Sequence, residues 1–189
     1  KELREIPKFD EVIEIKSIKN RVILTIKQKV EWDLGGVGKG VLIDKLAKYF
    51  FEQKVLDFII DGGGDIYQSS EFKDQKSELK VGLEHPSNFS KVIGVVNLKS
   101  GFSICGSSKN RRSWKNESHI VNLDHEKYTE KILSTWVVSN TATISDSAAT
   151  CLFMCEPEHL KKSFPEIEFL ILYEDFKVMG SRGFEVELF

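Results

Sequence analysis

Asp33-Leu34-Gly35-Gly36-Val37-Gly38-Lys39-Gly40 sets four glycines and a lysine directly in front of a helical pattern. No other stretch constrains the fold as strongly. Glycines let the backbone turn tightly and come close to a neighbour or a ligand. The helix that follows aims its first N–H groups, and the positive end of its dipole, at whatever lies in front. A phosphate suits that place. A tight strand-to-helix turn with no ligand suits it equally. The helix itself is predicted over Val37 to Gln53, where Leu42, Leu46 and Phe50 repeat every four residues with Ile43 and Ala47 beside them.

Around this helix the pattern is mostly extended. Glu11–Lys16 and Arg21–Lys27 alternate apolar and charged residues about Lys19-Asn20, which predicts a hairpin with one wet face. Strands are predicted at Leu56–Ile60, Ile66–Ser69, Leu79–Glu84, Lys91–Leu98, Phe102–Cys105, Ser118–Asn122 and Trp136–Val138. A second helix reads over Thr141–Cys155 and a short one over Pro157–Ser163, with closing strands at Glu168–Tyr173 and Phe184–Leu188. Glu71–Ser77, Lys109–Glu117 and Asp124–Lys131 are polar and read as turns or loops. Successive strands with short turns imply an α+β fold, a mostly antiparallel sheet with helices packed on one face.

The 189 residues suit one domain, read here as residues 1–189. A net charge of -2 gives no general attraction to nucleic acid. No apolar run approaches the roughly 20 residues of a membrane span. Lys1-Glu2-Leu3-Arg4-Glu5 does not read as a signal peptide. The chain alone therefore points to the cytoplasm, and to the periplasm or a membrane anchor if a leader has been trimmed. Cys105, Cys151 and Cys155 make no disulfide framework and read as small buried thiols, since His159 alone does not complete a metal set.

Several residues are candidates for chemistry. Asp61-Gly62-Gly63-Gly64-Asp65 is either a bulged turn or a close backbone approach to a ligand held by Asp61 or Asp65. Asp146 and Thr150 lie one turn apart on one helix face, where two oxygens suit Mg2+. An Asp favoured near a helix start and a Thr facing the core are the plainer account. His119 is a general base, an orienting hydrogen-bond partner or a surface residue. Lys109, Arg111 and Arg112 either hold a phosphate or form a solvated loop.

Taken in order, these segments resemble the ApbE-type FAD:protein FMN transferases, formerly called thiamine biosynthesis lipoproteins. Asp33 to Gly40, with Asp44 following, is similar to the family's Asp-Leu-Gly-Gly-Ile-Ala-Lys-Gly helix start. Gly63-Gly64-Asp65 resembles its Gly-Gly-Asp turn, and Lys80 to Pro86 its Trp-x-Val-Gly-Ile-x-x-Pro stretch. Cys105-Gly106 with Arg112 and Trp114 resembles a Ser-Gly turn and later Arg, with Cys105 where Ser is usual. His119-Ile120 matches a His-Ile segment, although the family's following Asp, Pro and Gly are replaced. Ser145-Asp146 to Thr150 resembles Ala-Asp-x-x-x-Thr.

The resemblance implies a T-fold-like domain that cleaves FAD, passes FMN to a Ser or Thr hydroxyl of an acceptor protein and releases AMP, a post-translational flavinylation. It implies Mg2+ held by Asp146, Thr150 and a backbone carbonyl between Gly36 and Gly38, taken as Gly36. His119 and Asp146 would be catalytic. Gly35, Gly36, Lys39, Asp61, Gly63, Gly64, Asp65 and Arg112 would contact FAD. Family members carry an N-terminal portion that helps bind flavin and adenine, whereas this chain begins just before the glycine loop. It is read as the C-terminal two-thirds of such a protein, with a flavin site incomplete or shared in a homodimer. FAD hydrolysis to FMN and AMP, or flavin or nucleotide binding without catalysis, are the alternative activities.

Overall fold

A computed structural model of the chain describes residues 7–69, 79–109 and 131–189. The chain divides into two compact units, Lys1–Leu34 and Gly35–Phe189.

In the first unit a four-residue helix, α1 (Phe9–Val12), leads into an antiparallel ribbon of β1 (Ile13–Ile18) and β2 (Arg21–Ile26). Lys19 takes a positive φ of 55°, as the two-residue turn demands. The expectation of a single wet face needs correction. β2 is exposed along its whole length, including Val22, Leu24 and Ile26. A two-stranded ribbon has too little area to close off either face by itself.

The second unit runs through α2 (Gly38–Glu52), β3 (Ile59–Asp61), β4 (Ile66–Gln68), β5 (Leu79–His85), β6 (Asn88–Leu98), β7 (Ser103–Ser108) and β8 (Ile132–Ser139). It continues with α3 (Ala142–Cys151), α4 (Pro157–Ser163), β9 (Glu168–Tyr173), β10 (Val178–Gly180) and β11 (Val186–Leu188). Six strands form an antiparallel sheet in the order β10-β9-β8-β7-β4-β3, and three more form a second sheet, β11-β6-β5. The α+β, mostly antiparallel expectation holds. Helices cover one face of the larger sheet, and the smaller sheet packs on the other face.

The central strands show this arrangement in their side chains. In β9, Phe169 and Ile171 join Ala149, Leu152 and Phe153 on the helical side. Leu170 and Leu172 point the other way, into Leu83, Leu98 and Phe184. A strand alternates faces with period two, so one buried on both sides reads as a continuous apolar run.

Gly40 faces α3 so closely that a Cβ there would collide with the Ala142 carbonyl oxygen and come within 2.7 Å of Thr143 Cα. This contact sets the rotation of α2. Ile43 and Ala47, three and seven residues on, pack with Ile60, Tyr67 and Ala142. Leu42 and Leu46, expected on the core face, are exposed instead.

The second helix is shorter than predicted: α3 ends at Cys151, so Cys155 lies past it, and Cys151 is exposed rather than buried. Thr141 caps its start, Oγ1 accepting from Ile144 N at 3.3 Å. The strand expected at Ser118–Asn122 lies outside the described residues. No helix among the described residues is long and apolar enough to cross a membrane.

Candidate functional site

The glycine loop and the two main helices converge. Gly35 to Val37 turn into α2, whose first three residues are Gly38, Lys39 and Gly40. Asp146, on the second turn of α3, directs its carboxylate at that helix start. Its Oδ2 accepts from Gly40 N at 2.9 Å, and Oδ1 lies 3.1 Å from Lys39 Nζ. The Lys39 ammonium also contacts the Asp65 carboxylate. Asp65 Oδ1 accepts from Gly106 N at 3.2 Å, which ties the β3–β4 turn to β7.

Asp65 and Asp146 are each 2% exposed, whereas the Lys39 side chain is 40% exposed. Two buried carboxylates against one ammonium leave one negative charge. Buried carboxylates persist only where cations and N–H groups offset their desolvation, and this place supplies both.

Thr150 completes the group. Its Oγ1 lies 3.3 Å from the Asp146 carbonyl oxygen and 3.2 Å from Ser107 Oγ. Gly36 faces it so closely that a Cβ would stand 3.1 Å from Thr150 Cγ2 and 3.3 Å from Oγ1. The structure therefore brings together the three residues expected to hold a metal: Gly36, Asp146 and Thr150. Asp146 offers a carboxylate and Thr150 a hydroxyl, with the Gly36 backbone packed against Thr150 and the Asp65 carboxylate also on Lys39. This all-oxygen set of low protein charge fits Mg2+, which keeps water and phosphate oxygens in its shell. It does not fit a metal that needs imidazole or thiolate. Among the described residues no three His, Cys, Asp or Glu side chains cluster as a metal site of their own.

Other candidates fall differently. Asp61 Oδ1 accepts from Gly63 N at 2.9 Å and Gly64 N at 2.8 Å, so its carboxylate props its own turn. Gly63 and Gly64 take φ of 82° and 96°, which only glycine adopts readily. Asp65 is thus the inward-facing carboxylate of the pair. Arg112 and His119 lie outside the described residues.

Cys105 is fully buried and its Sγ donates to Ala142 O at 3.7 Å. Burial pushes its thiol well above the ordinary range, and Asp146 and Asp44 add to the effect against the pull of Lys39. It is a packed thiol, not a nucleophile. Beside the site, a cavity of about 100 Å³ is lined by Gly64, Ile66, Gly106, Ser107, Ser134 and Trp136 among others.

Sequence reasoning named Asp44 but gave it no part. Its carboxylate accepts from Ala142 N at 2.8 Å, Thr143 N at 2.9 Å and the Thr143 hydroxyl. The available signal was its spacing: Asp44 follows Gly40 by four residues and so shares its helix face.

Known proteins share both the sequence pattern and the fold. The model of the ApbE family matches residues 1–170. A FAD:protein FMN transferase of Treponema pallidum is 24% identical over 170 residues, covering 82% of this chain and 47% of its own. The crystal structure of the ApbE protein from Thermotoga maritima superposes with a TM-score of 0.74 at 22% identity, over 92% of this chain and 58% of that one. The flavin transferase ApbE from Vibrio cholerae gives 0.68 at 18% identity, over 92% and 57%. The chain spans about half the length of the curated relative it matches. A family match over most of its residues, on the same fold, establishes that this chain belongs to the ApbE family.

Proposed function

We propose that this protein acts in Mg2+-dependent transfer of FMN from FAD to a Ser or Thr hydroxyl of an acceptor protein, with release of AMP. One observation carries the reading: at the N-terminus of a 15-residue helix the Asp146 carboxylate meets Lys39 and Gly40 N, with Thr150 one turn on and Gly36 packed against Thr150. Such a helix start attracts phosphate, and Lys39, held by Asp65 and Asp146, adds a positive charge at the same place. The T. pallidum relative, named a FAD:protein FMN transferase, supports the transfer of FMN from FAD to a protein.

In this reading the FAD pyrophosphate lies against Lys39 and the first turn of α2. Bound at Gly36, Asp146 and Thr150, Mg2+ would neutralise phosphate charge and stabilise the leaving group. The acceptor oxygen bonds to the flavin-side phosphorus. The bridging P–O bond breaks with its electron pair going to AMP, and the hydroxyl proton passes to a base, the part we assign to His119. Asp65 and Asp146 both hold Lys39. Ser107 fixes the Thr150 hydroxyl. Arg112 is assigned a phosphate contact.

The test is to incubate the protein with FAD, MgCl2 and an acceptor, then measure AMP and the flavin that stays on the acceptor after denaturation. Asp146→Ala is expected to cut AMP release by at least about 100-fold, as loss of a principal charge-stabilising group does. Wild-type AMP release in that variant would overturn the assignment. AMP release without bound flavin would make the enzyme a pyrophosphatase.

A further inference from the structure

The two helices that build the site cap each other. Asp146 of α3 accepts from Gly40 N at the start of α2. Asp44 of α2 accepts from Ala142 N, Thr143 N and the Thr143 hydroxyl at the start of α3. Between the two caps, Gly40 lies flat on Ala142. The arrangement is reciprocal, but its two halves do different work. Asp146 is a donor residue of the site. Asp44 uses both carboxylate oxygens on the backbone and hydroxyl of another helix.

We infer that Asp44 is a positioning residue, which sets where Asp146 and Thr150 stand relative to the glycine loop. The inference rests on the transferase reading for its functional consequence. Asp146 and Thr150 follow Ala142 by four and eight residues, about 6 and 12 Å along a helix. A helix that short moves as a rod, so whatever fixes its first turn fixes both donors. Thr141 caps only the Ile144 amide, which leaves the Ala142 and Thr143 amides to Asp44. Outer residues that orient a ligating group tune metal affinity without touching the metal.

An ordinary stabilising cap would make the same hydrogen bonds, so the test must separate stability from placement. Amide exchange by NMR is measured in Asp44→Ala and Asp44→Asn, reading Gly40, Ala142 and Thr143 against Ile171 in β9. In Asp44→Ala the Gly40 amide, held by Asp146, is expected to exchange roughly tenfold faster together with Ala142 and Thr143, while Ile171 is unchanged. Asn keeps one acceptor oxygen and should give a smaller change. The Mg2+ concentration that half-saturates thermal stabilisation of the FAD-free protein should rise roughly tenfold.

Wild-type exchange at Gly40 with faster exchange at Ala142 and Thr143 would reduce Asp44 to a local cap. An equal acceleration at Ile171 would reduce it to a stability residue. Either result overturns the inference. Thr143→Val, which removes a single donor, repeats the test if Asp44→Ala does not fold. Should the wild type show neither Mg2+ stabilisation nor AMP release, the transferase reading fails, and exchange at Gly40 still decides the positioning role.

Discussion

At the scale of single residues, buried polar groups decide what the site can do. Asp65 and Asp146 would be costly alone in the interior, and Lys39, Gly106 N and Gly40 N make them tolerable. Cys105 beside them shows the opposite treatment, a thiol kept neutral. In the folded state its proton is held above the ordinary thiol value of 9.0, whereas the unfolded chain releases it near that value. Its contribution to stability is therefore full below pH 9.0 and falls as pH rises further. Cys105→Ala should flatten the alkaline decline of the urea midpoint. In the native protein at pH 8, maleimide should label Cys151 and leave Cys105 unmodified until urea is added, as mass spectrometry of the peptides would show.

The same scale shows what sequence alone could reveal. Asp146 and Thr150 were legible because helical spacing places i and i+4 on one face. Asp61 and Asp65 were not separable, since both flank the same glycines, and only the fold shows one turned on its own loop and the other inward. Asp44 gave little away because its partners are 98 and 99 residues distant.

At the scale of elements, Gly40 governs. The apolar repeat of α2 allowed two adjacent stripes, and hydrophobicity does not choose between them. Contact with Ala142 chooses Ile43 and Ala47. Gly40→Ala should therefore destabilise the protein by about 1–3 kcal/mol through overpacking, although alanine favours helix in isolation. Urea titration would measure it, and a more stable variant would contradict the close approach. The short α4 and strand β9 were read with their observed limits because their signals are local: a Pro at the helix start and an unbroken apolar run. Strand β10 escaped notice, being three residues long at a sheet edge.

At the scale of the whole second unit, the six-stranded and three-stranded sheets meet over Leu83, Leu98, Ile104, Leu170 and Phe184. The strands of the β5–β6 hairpin were legible, but the sequence held no local sign that they form a sheet with β11, which pairs with β6 across nearly half the chain. Glu168 fastens the connection. Its carboxylate accepts from Lys161 in α4, from Ser181 and from Gly183 N, just ahead of β11. Burial alone would raise its pKa, but the hydrogen bonds from Lys161 and Ser181 outweigh that and hold it below the ordinary 4.5. A depressed carboxylate stabilises the fold above pH 4.5, and the contribution is lost as pH falls through the lower folded-state value. Glu168→Gln should lower the melting temperature at pH 7 and narrow its gap from wild type below pH 4, as calorimetry would record.

The mutual capping of α2 and α3 also bears on how the chain reaches its native state. The bonds Gly40–Asp146 and Asp44–Ala142 close loops of 106 and 98 residues. Contacts between such distant residues form only after much of the intervening chain has been organised. During synthesis the glycine loop emerges long before either helix can receive its cap, so a nascent chain that stops short of α3 carries the recognisable motif without the site. Loop closure depends only weakly on length, each doubling costing about 0.6 kcal/mol. The two helix starts can therefore find each other across a long stretch of chain at little added cost.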